Sequence, residues 1–219
     1  MAAEKKASPN VESRLRHNIL KMPQEVYQAS GIVINGRRLK SFVFTTDLAI
    51  IRNCEAFGIQ DIHTVETLCP FSPNTHIVKG TDKWIDLHRH ADTAGALAAL
   101  RGAGYRLIAT TPHSGDTSPE AFDVSQSPFV LIFGTEHAGI SDEVKAAADG
   151  FIRIPMCGFV ESLNVSASAA ILLSQLSSRL RAGNAPWRLS DDEQAALLFR
   201  WLMESIRDSQ RILAHEFPE

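Results

Sequence analysis

From about residue 41 onward, short apolar runs alternate with stretches whose apolar residues recur at helical spacing. Ser41–Phe44, Asp61–Val65, Tyr105–Ala109, Phe129–Phe133 and Gly150–Ile154 read as strands. Phe129-Val-Leu-Ile-Phe133 is apolar at every position, as a strand covered on both faces requires. Between the runs, Ile50, Ile51, Cys54 and Phe57 form the apolar face of a helix that Thr45 or Thr46 can cap and Gly58 can end. Asp92 or Thr93 opens an Ala/Leu-rich helix stopped by Gly102 and Gly104. Ser118-Pro119-Glu120 opens a short helical turn, and Ser141-Asp-Glu-Val144 another helix. Residues 164–182 are expected to be helical, and the capping box Ser190-Asp-Asp-Glu193 opens a last helix to about residue 213. Ahead of the strands, residues 1–9 read as disordered. Residues 10–28 read as a helix with Val11, Leu15, Ile19, Leu20 and Met22 on its apolar face, ended by Gly31 and the turn at Asn35-Gly36. The expected fold is α/β: one mainly parallel sheet with helices on both faces over residues 41–186. A basic helical extension over 1–40 and a helical extension over 187–219 frame it.

Composition narrows the class without naming a chemistry. Of 219 residues, 44% are hydrophobic and 21% charged, an ordinary soluble balance. No apolar run approaches the roughly 20 residues of a membrane span, and the first residues lack the apolar segment of a secretory signal. Cys54, Cys69 and Cys157 are scattered and odd in number, which argues against a disulfide framework and for a reducing compartment, the cytoplasm. The net charge of −3 hides an asymmetry: residues 1–40 carry eight Lys/Arg against three Glu, whereas residues 188–219 carry four Arg against seven acids. A transient nucleic-acid partner requires such a local basic patch, and a solvated amphipathic helix accounts for it equally well.

Ligands of open α/β sheets sit beyond the carboxyl ends of strands, which singles out the loops after Ala109, Phe133 and Ile154. Thr110-Thr111-Pro112-His113 offers hydroxyls and a rigid turn. Gly134 and Gly139 allow close approach of backbone to a ligand. The third loop offers backbone around Met156 and Gly158, then Ser162 and Asn164. A dinucleotide fingerprint would need Gly-x-Gly-x-x-Gly after the first strand, and these glycines are too late and too far apart. His88 and His90 have no Cys or third His following at ligand spacing, so no metal is expected.

Three segments, in order, resemble one family. They are Ala49-Ile-Ile-Arg52-Asn-Cys-Glu-Ala-Phe-Gly58, Phe133-Gly-Thr-Glu136-His-Ala-Gly-Ile-Ser141 and Ile154-Pro-Met-Cys-Gly-Phe-Val-Glu-Ser162-Leu-Asn164-Val-Ser166. Together they look like the SpoU/TrmH branch of the SPOUT superfamily, RNA ribose 2′-O-methyltransferases. Asp82-Lys-Trp-Ile-Asp-Leu87 and Trp187-Arg-Leu-Ser190 add a likeness to its transfer-RNA guanosine group. The resemblance covers about residues 41–182 and implies a deep trefoil knot, a homodimer and S-adenosylmethionine as methyl donor. The small-residue run Ser166-Ala-Ser-Ala-Ala170 suits a threaded chain or a dimer seam, and equally ordinary close helix–sheet packing.

Carried over by position, the resemblance implies that Thr111, Gly134, Ile154, Met156 and Leu163 line the methyl donor. Arg52, Glu136, Ser162 and Asn164 become the catalytic group, and Thr46, Arg52, Arg37, Arg38 and Lys40 meet RNA. An arginine keeps its proton far above neutral pH, so Arg52 is expected to hold the phosphate beside the reacting ribose and steady the developing oxyanion. Glu136 and Asn164 are expected to organise loops by hydrogen bonding. Thr46 stands where the family usually carries Asn. The implied substrate is transfer RNA, at guanosine in the D-loop, with ribosomal RNA as the alternative, and a ribose-hydroxyl acceptor excludes DNA. A knotted RNA-binding protein without methyl transfer, supported by Thr46, is the rival from another class.

Overall fold

The computed structural model describes residues 39–44, 48–65, 84–112, 116–126, 128–135, 138–185 and 187–216. The expected disorder over 1–9, the helix over 10–28, the turn at Asn35-Gly36 and the caps at Thr45 or Thr46 lie outside the described residues. In chain order the elements are β1 (Leu39–Phe44), α1 (Leu48–Ala56), β2 (Ile59–Val65), β3 (Asp86–His90), α2 (Thr93–Gly102) and β4 (Arg106–Thr110). β5 (Phe129–Ile132), α3 (Asp142–Ala147), β6 (Gly150–Ile152), α4 (Val165–Ala182), α5 (Asp191–Ser205) and α6 (Ser209–Glu216) follow. Two units divide the chain: Arg38–Trp187 holds the sheet with α1 to α4, and Arg188–Glu219 belongs to the second.

The sheet has six strands in the order β3-β2-β1-β5-β4-β6, and every described pairing is parallel. Strand alternation sorts the apolar residues onto two faces. Phe129, Leu131 and Phe133 join Ile108 and Ile152 in one cluster, with Ile50, Ile51 and Cys54 of α1 and Leu172, Leu173, Leu176 and Leu180 of α4. Val130 and Ile132 join Leu107 and Ala109 in the other, with Ala96, Leu97 and Leu100 of α2 and Val144 of α3. Each fully buried Leu or Ile contributes about 1.5–3 kcal/mol. Burial also pushes the Cys54 thiol up, away from any reactive thiolate, so Cys54 is a packing residue.

The helix ends follow the expected chemistry. Asp92 accepts from Gly95 N, Ser141 from Val144 N, and Ser190 forms a reciprocal capping box with Glu193. Gly58 and Gly104 follow α1 and α2 with positive φ. Ala121 N and Phe122 N return to Ser118 O, the expected helical turn. The C-terminal helix departs from its expected run to about residue 213: it breaks at Ile206–Asp208. Asp208 takes φ 59°, and the Ser209 hydroxyl donates to Met203 O at 2.7 Å, giving α5 and α6 in place of one helix.

β3 is the strand that the apolar pattern misses. Asp86-Leu-His-Arg-His90 has a single aliphatic residue, and its polar side chains are satisfied by β2 instead of by burial. His88 Nε2 lies 2.9 Å from Asp61 Oδ1, and His63 Nδ1 lies 2.8 Å from His90 Nε2. The His63 ring stacks on His88 and on His90, with ring centroids 4.6 and 5.1 Å apart. No group of three or more His, Cys, Asp or Glu among the described residues could hold a metal ion.

Burial first, then the neighbouring His88 and His90, lowers the pKa of His63 from 6.5 to about 4. The unfolded chain therefore binds a proton across that interval which the folded chain refuses. Its contribution to stability is full above about pH 6.5 and is lost as pH falls toward 4. We expect His63→Gln to remove about 2 kcal/mol of the stability difference between pH 7 and pH 4.5, after allowing for solvent screening. Urea midpoints at the two pH values measure this, and an unchanged difference would refute it.

Candidate functional site

Parallel register sets three loops side by side. β5, β4 and β6 are neighbours, and Ile132, Thr110 and Ile152 end them at the same level. Thr110 Oγ1 donates to Ile132 O at 3.1 Å, and Thr111 N donates to Ile152 O at 3.0 Å, so the first loop is stitched to both neighbours. Asp149, just ahead of β6, accepts from Leu107 N at 2.8 Å and from Arg101 Nη2 at 3.1 Å, which fixes the height of that strand against β4.

The loops enclose a cavity of about 300 Å³, at the small end of the range typical of small-molecule sites. Thr110, Thr111 and Pro112 line it from the first loop, Gly134, Thr135, Ala138 and Gly139 from the second, and Ile154, Met156, Ser162 and Leu163 from the third. Ile152 of β6 and one face of α4, Val165, Ser168 and Leu172, complete the lining. Thus Thr111, Gly134, Ile154, Met156, Leu163 and Ser162 all line one pocket. Sequence reasoning passed over the α4 face, although the spacing of Val165, Ser168 and Leu172 signals one side of a helix. It also passed over Asp116, which accepts a hydrogen bond from the Thr111 hydroxyl; no local pattern marks that pairing. With the Thr110 hydroxyl on Ile132 O and the Thr111 hydroxyl on Asp116, both side chains of the first loop are held in place at the pocket wall.

The second loop is a tight return. Thr135 N donates to Gly139 O and Gly139 N to Thr135 O, each at 3.0 Å, and Ala138 N donates to Thr135 Oγ1 at 3.0 Å. Gly139 takes φ 66°. Gly134 is the crowded point: a Cβ there would fall 2.1 Å from Gly139 C and 2.4 Å from Ile140 N. Only glycine lets the loop fold back so closely and leave backbone facing the cavity.

The third loop runs from Pro155 to Leu163 and is anchored by the start of α4. Asn164 caps that helix, its Oδ1 accepting from Ser166 N at 2.8 Å and from Ala167 N at 3.4 Å. Asn53 Nδ2 of α1 donates to Ser166 O at 2.8 Å, which brings the residue after Arg52 to the first turn of α4. Arg52 is exposed, and among the described residues no hydrogen bond or ion pair holds its guanidinium. The structure thus puts Ser162 on the pocket wall and Asn164 at the N-cap of α4, while Arg52 stands one residue before Asn53 on the helix bonded to that first turn. Glu136, Thr46, Arg37 and Arg38 lie outside the described residues, and Lys40 is described only through its backbone in β1.

Apolar walls with hydroxyls and backbone groups at intervals suit a ligand that combines a flat base with a polar chain. Arg52 is an exposed cation on α1, the helix tied by Asn53 to the first turn of α4.

Residues 49–174 match the SpoU rRNA Methylase family. Over 157 residues the chain is 35% identical to a tRNA (guanosine(18)-2′-O)-methyltransferase of Thermus thermophilus, covering 70% of this chain and 80% of that protein. The TrmH/SpoU tRNA modifying enzyme of A. aeolicus has the same fold, with a TM-score of 0.65 at 24% identity over 91% of this chain and 98% of that one. An AdoMet-bound rRNA methyltransferase from Sinorhizobium meliloti aligns with a TM-score of 0.57 at 29% identity, over 66% of this chain and 58% of that one.

Proposed function

The chain belongs to the SpoU rRNA Methylase family of S-adenosylmethionine-dependent RNA ribose 2′-O-methyltransferases, and from that membership we propose that it methylates guanosine in the D-loop of transfer RNA. One observation carries the reading: the loops after β4, β5 and β6 converge on a single cavity lined by Thr111, Gly134, Ile154, Met156 and Leu163. The glycine cradle at Gly134 and the mixed apolar and hydroxyl lining fit a nucleoside-bearing sulfonium. When bound, S-adenosylmethionine supplies the electrophilic methyl group; the chain must orient the acceptor hydroxyl and ease the loss of its proton.

Arg52 does the orienting. Its guanidinium holds the phosphate beside the acceptor ribose and stabilises the oxygen as negative charge develops. Ser162 sits on the pocket wall, where its hydroxyl meets the acceptor side of the ligand. Asn164 holds the third loop in place by capping α4, and Glu136 is assigned the matching role in the second loop. Arg37, Arg38, Lys40 and Thr46 extend the contact along the RNA backbone.

The same reading makes residues 1–40 and 187–219 extensions that grip transfer RNA, and the enzyme a cytoplasmic homodimer. Among the described residues no helix is long and apolar enough to cross a membrane. The implied trefoil knot draws support from residues 116–118, which run along the outer side of β6. Thr117 N donates to Phe151 O and Arg153 N to Thr117 O there. Thr46 in place of Asn favours a second reading, an RNA-binding protein without transfer.

Calorimetry with S-adenosylhomocysteine and tritium transfer into transfer and ribosomal RNA separate the two. Binding with transfer into transfer RNA is expected. Binding without transfer selects the second reading, and transfer into ribosomal RNA alone corrects the substrate. Mass spectrometry of nucleosides from a deletion strain then places the methyl group, with loss of one 2′-O-methylguanosine expected.

A further inference from the structure

Among the described residues only Phe159, Val160 and Ile206 are large hydrophobic side chains left exposed, at 109%, 62% and 42% of full accessibility. The first two are neighbours on the loop whose Met156, Ser162 and Leu163 wall the cavity. An aromatic ring held out in water beside a pocket forgoes the burial that normally places Phe inside. Apart from Val160 its surroundings on the loop are small or polar: Pro155, Cys157, Gly158, Glu161 and Ser162 are all exposed. A Cβ built on Gly158 meets nothing within 4 Å, so the ring stands on an open stretch of loop.

Resting on the methyltransferase reading above, we infer that Phe159 is a positioning residue for RNA, a platform on which the base of the nucleotide being methylated stacks. Presenting a ribose hydroxyl to an enclosed methyl donor takes that nucleotide out of its own stack, and the base loses its neighbours. An aromatic face at the pocket mouth replaces them. A second copy of the chain is the other candidate occupant. One aromatic side chain contributes only about 150–250 Å², against roughly 800 Å² per partner in a standard interface. Val160 alone extends the patch, and the residues on either side of the pair, Gly158 and Glu161, are small or polar. A single ring fits one base better than a protein face.

The test compares Phe159→Ala, Phe159→Leu and Phe159→Trp with the wild type, using tritium transfer into unfractionated transfer RNA. Phe159→Ala and Phe159→Leu are expected to raise KM for RNA about five- to hundredfold, the span of base–aromatic stacking. The kcat at saturating RNA and the calorimetric Kd for S-adenosylmethionine stay within about twofold. Phe159→Trp keeps KM near the wild-type value, since stacking needs an aromatic ring. Overturning results are a Phe159→Leu enzyme equal to wild type, or a loss that appears with a shift in sedimentation, which assigns the ring to a contact between copies. Transfer by the wild type with equal KM in all variants removes stacking alone. No transfer by the wild type removes the methyltransferase reading and the platform with it.

Discussion

Gly134→Ala is expected to weaken S-adenosylmethionine binding by more than tenfold and to lower the melting temperature by several degrees. The added Cβ falls 2.1–2.4 Å from backbone atoms of Gly139 and Ile140, and backbone cannot step aside as a flexible side chain can. The return of the second loop must open, at the expense of the reciprocal hydrogen bonds between Thr135 and Gly139. Overpacking of this kind costs about 1–3 kcal/mol, or roughly 2–10 °C in a chain of this size. Gly158→Ala is the matched control, because its Cβ meets nothing within 4 Å and its φ is not positive. Calorimetry and thermal unfolding of both variants decide the matter. If Gly134→Ala binds the methyl donor as Gly158→Ala does, the second loop is not part of the ligand site.

Arg52→Ala should produce the opposite profile: a folded protein that binds the methyl donor but turns over about 10²- to 10³-fold more slowly, the usual effect of deleting one charge-stabilising donor. Arg52 is exposed on α1, and no described contact depends on its guanidinium, so stability should change by less than about 0.5 kcal/mol. Arg52→Lys keeps the charge but loses the bidentate fork, and partial recovery is expected. Single-turnover transfer, with melting temperature and methyl-donor affinity measured alongside, separates the roles. Near-normal turnover in Arg52→Ala would remove this residue from the mechanism.

Much of the fold lies open in the chain because its strands are apolar and its helix ends carry ordinary caps. Phe129–Ile132 and Arg106–Thr110 stand out as buried runs, while Asp92, Ser141 and Ser190 announce the helices after them. β3 stays hidden for a physical reason. An edge strand satisfied by His–His and His–Asp contacts needs little apolar content, and hydrophobic periodicity cannot register it. The break between α5 and α6 rests on one aspartate at φ 59°, a conformation that Asp only tolerates, so its identity gives no firm signal.

The pocket is legible to a similar degree. Loops at strand ends and glycines at Gly134 and Gly139 are local features, and the resemblance orders them. The approach of α1 to α4 is not local: the hydrogen bond from Asn53 to Ser166 joins residues 113 positions apart. Nothing near either residue forecasts it, nor the face of α4 that closes the cavity.

A sheet whose described pairings are all parallel also has a history in time. Its central seam pairs Phe42 with Val130 and Phe44 with Ile132, so β1 waits for β5 before either gains its full complement of hydrogen bonds. During synthesis β1, β2 and β3 can pair with one another, but the edge of β1 that meets β5 leaves the ribosome with its partner still unmade and stays available to the wrong neighbours. Slow maturation, with a demand for chaperoning in its first seconds, is thus written into the same strand order that sets three loops around one cavity.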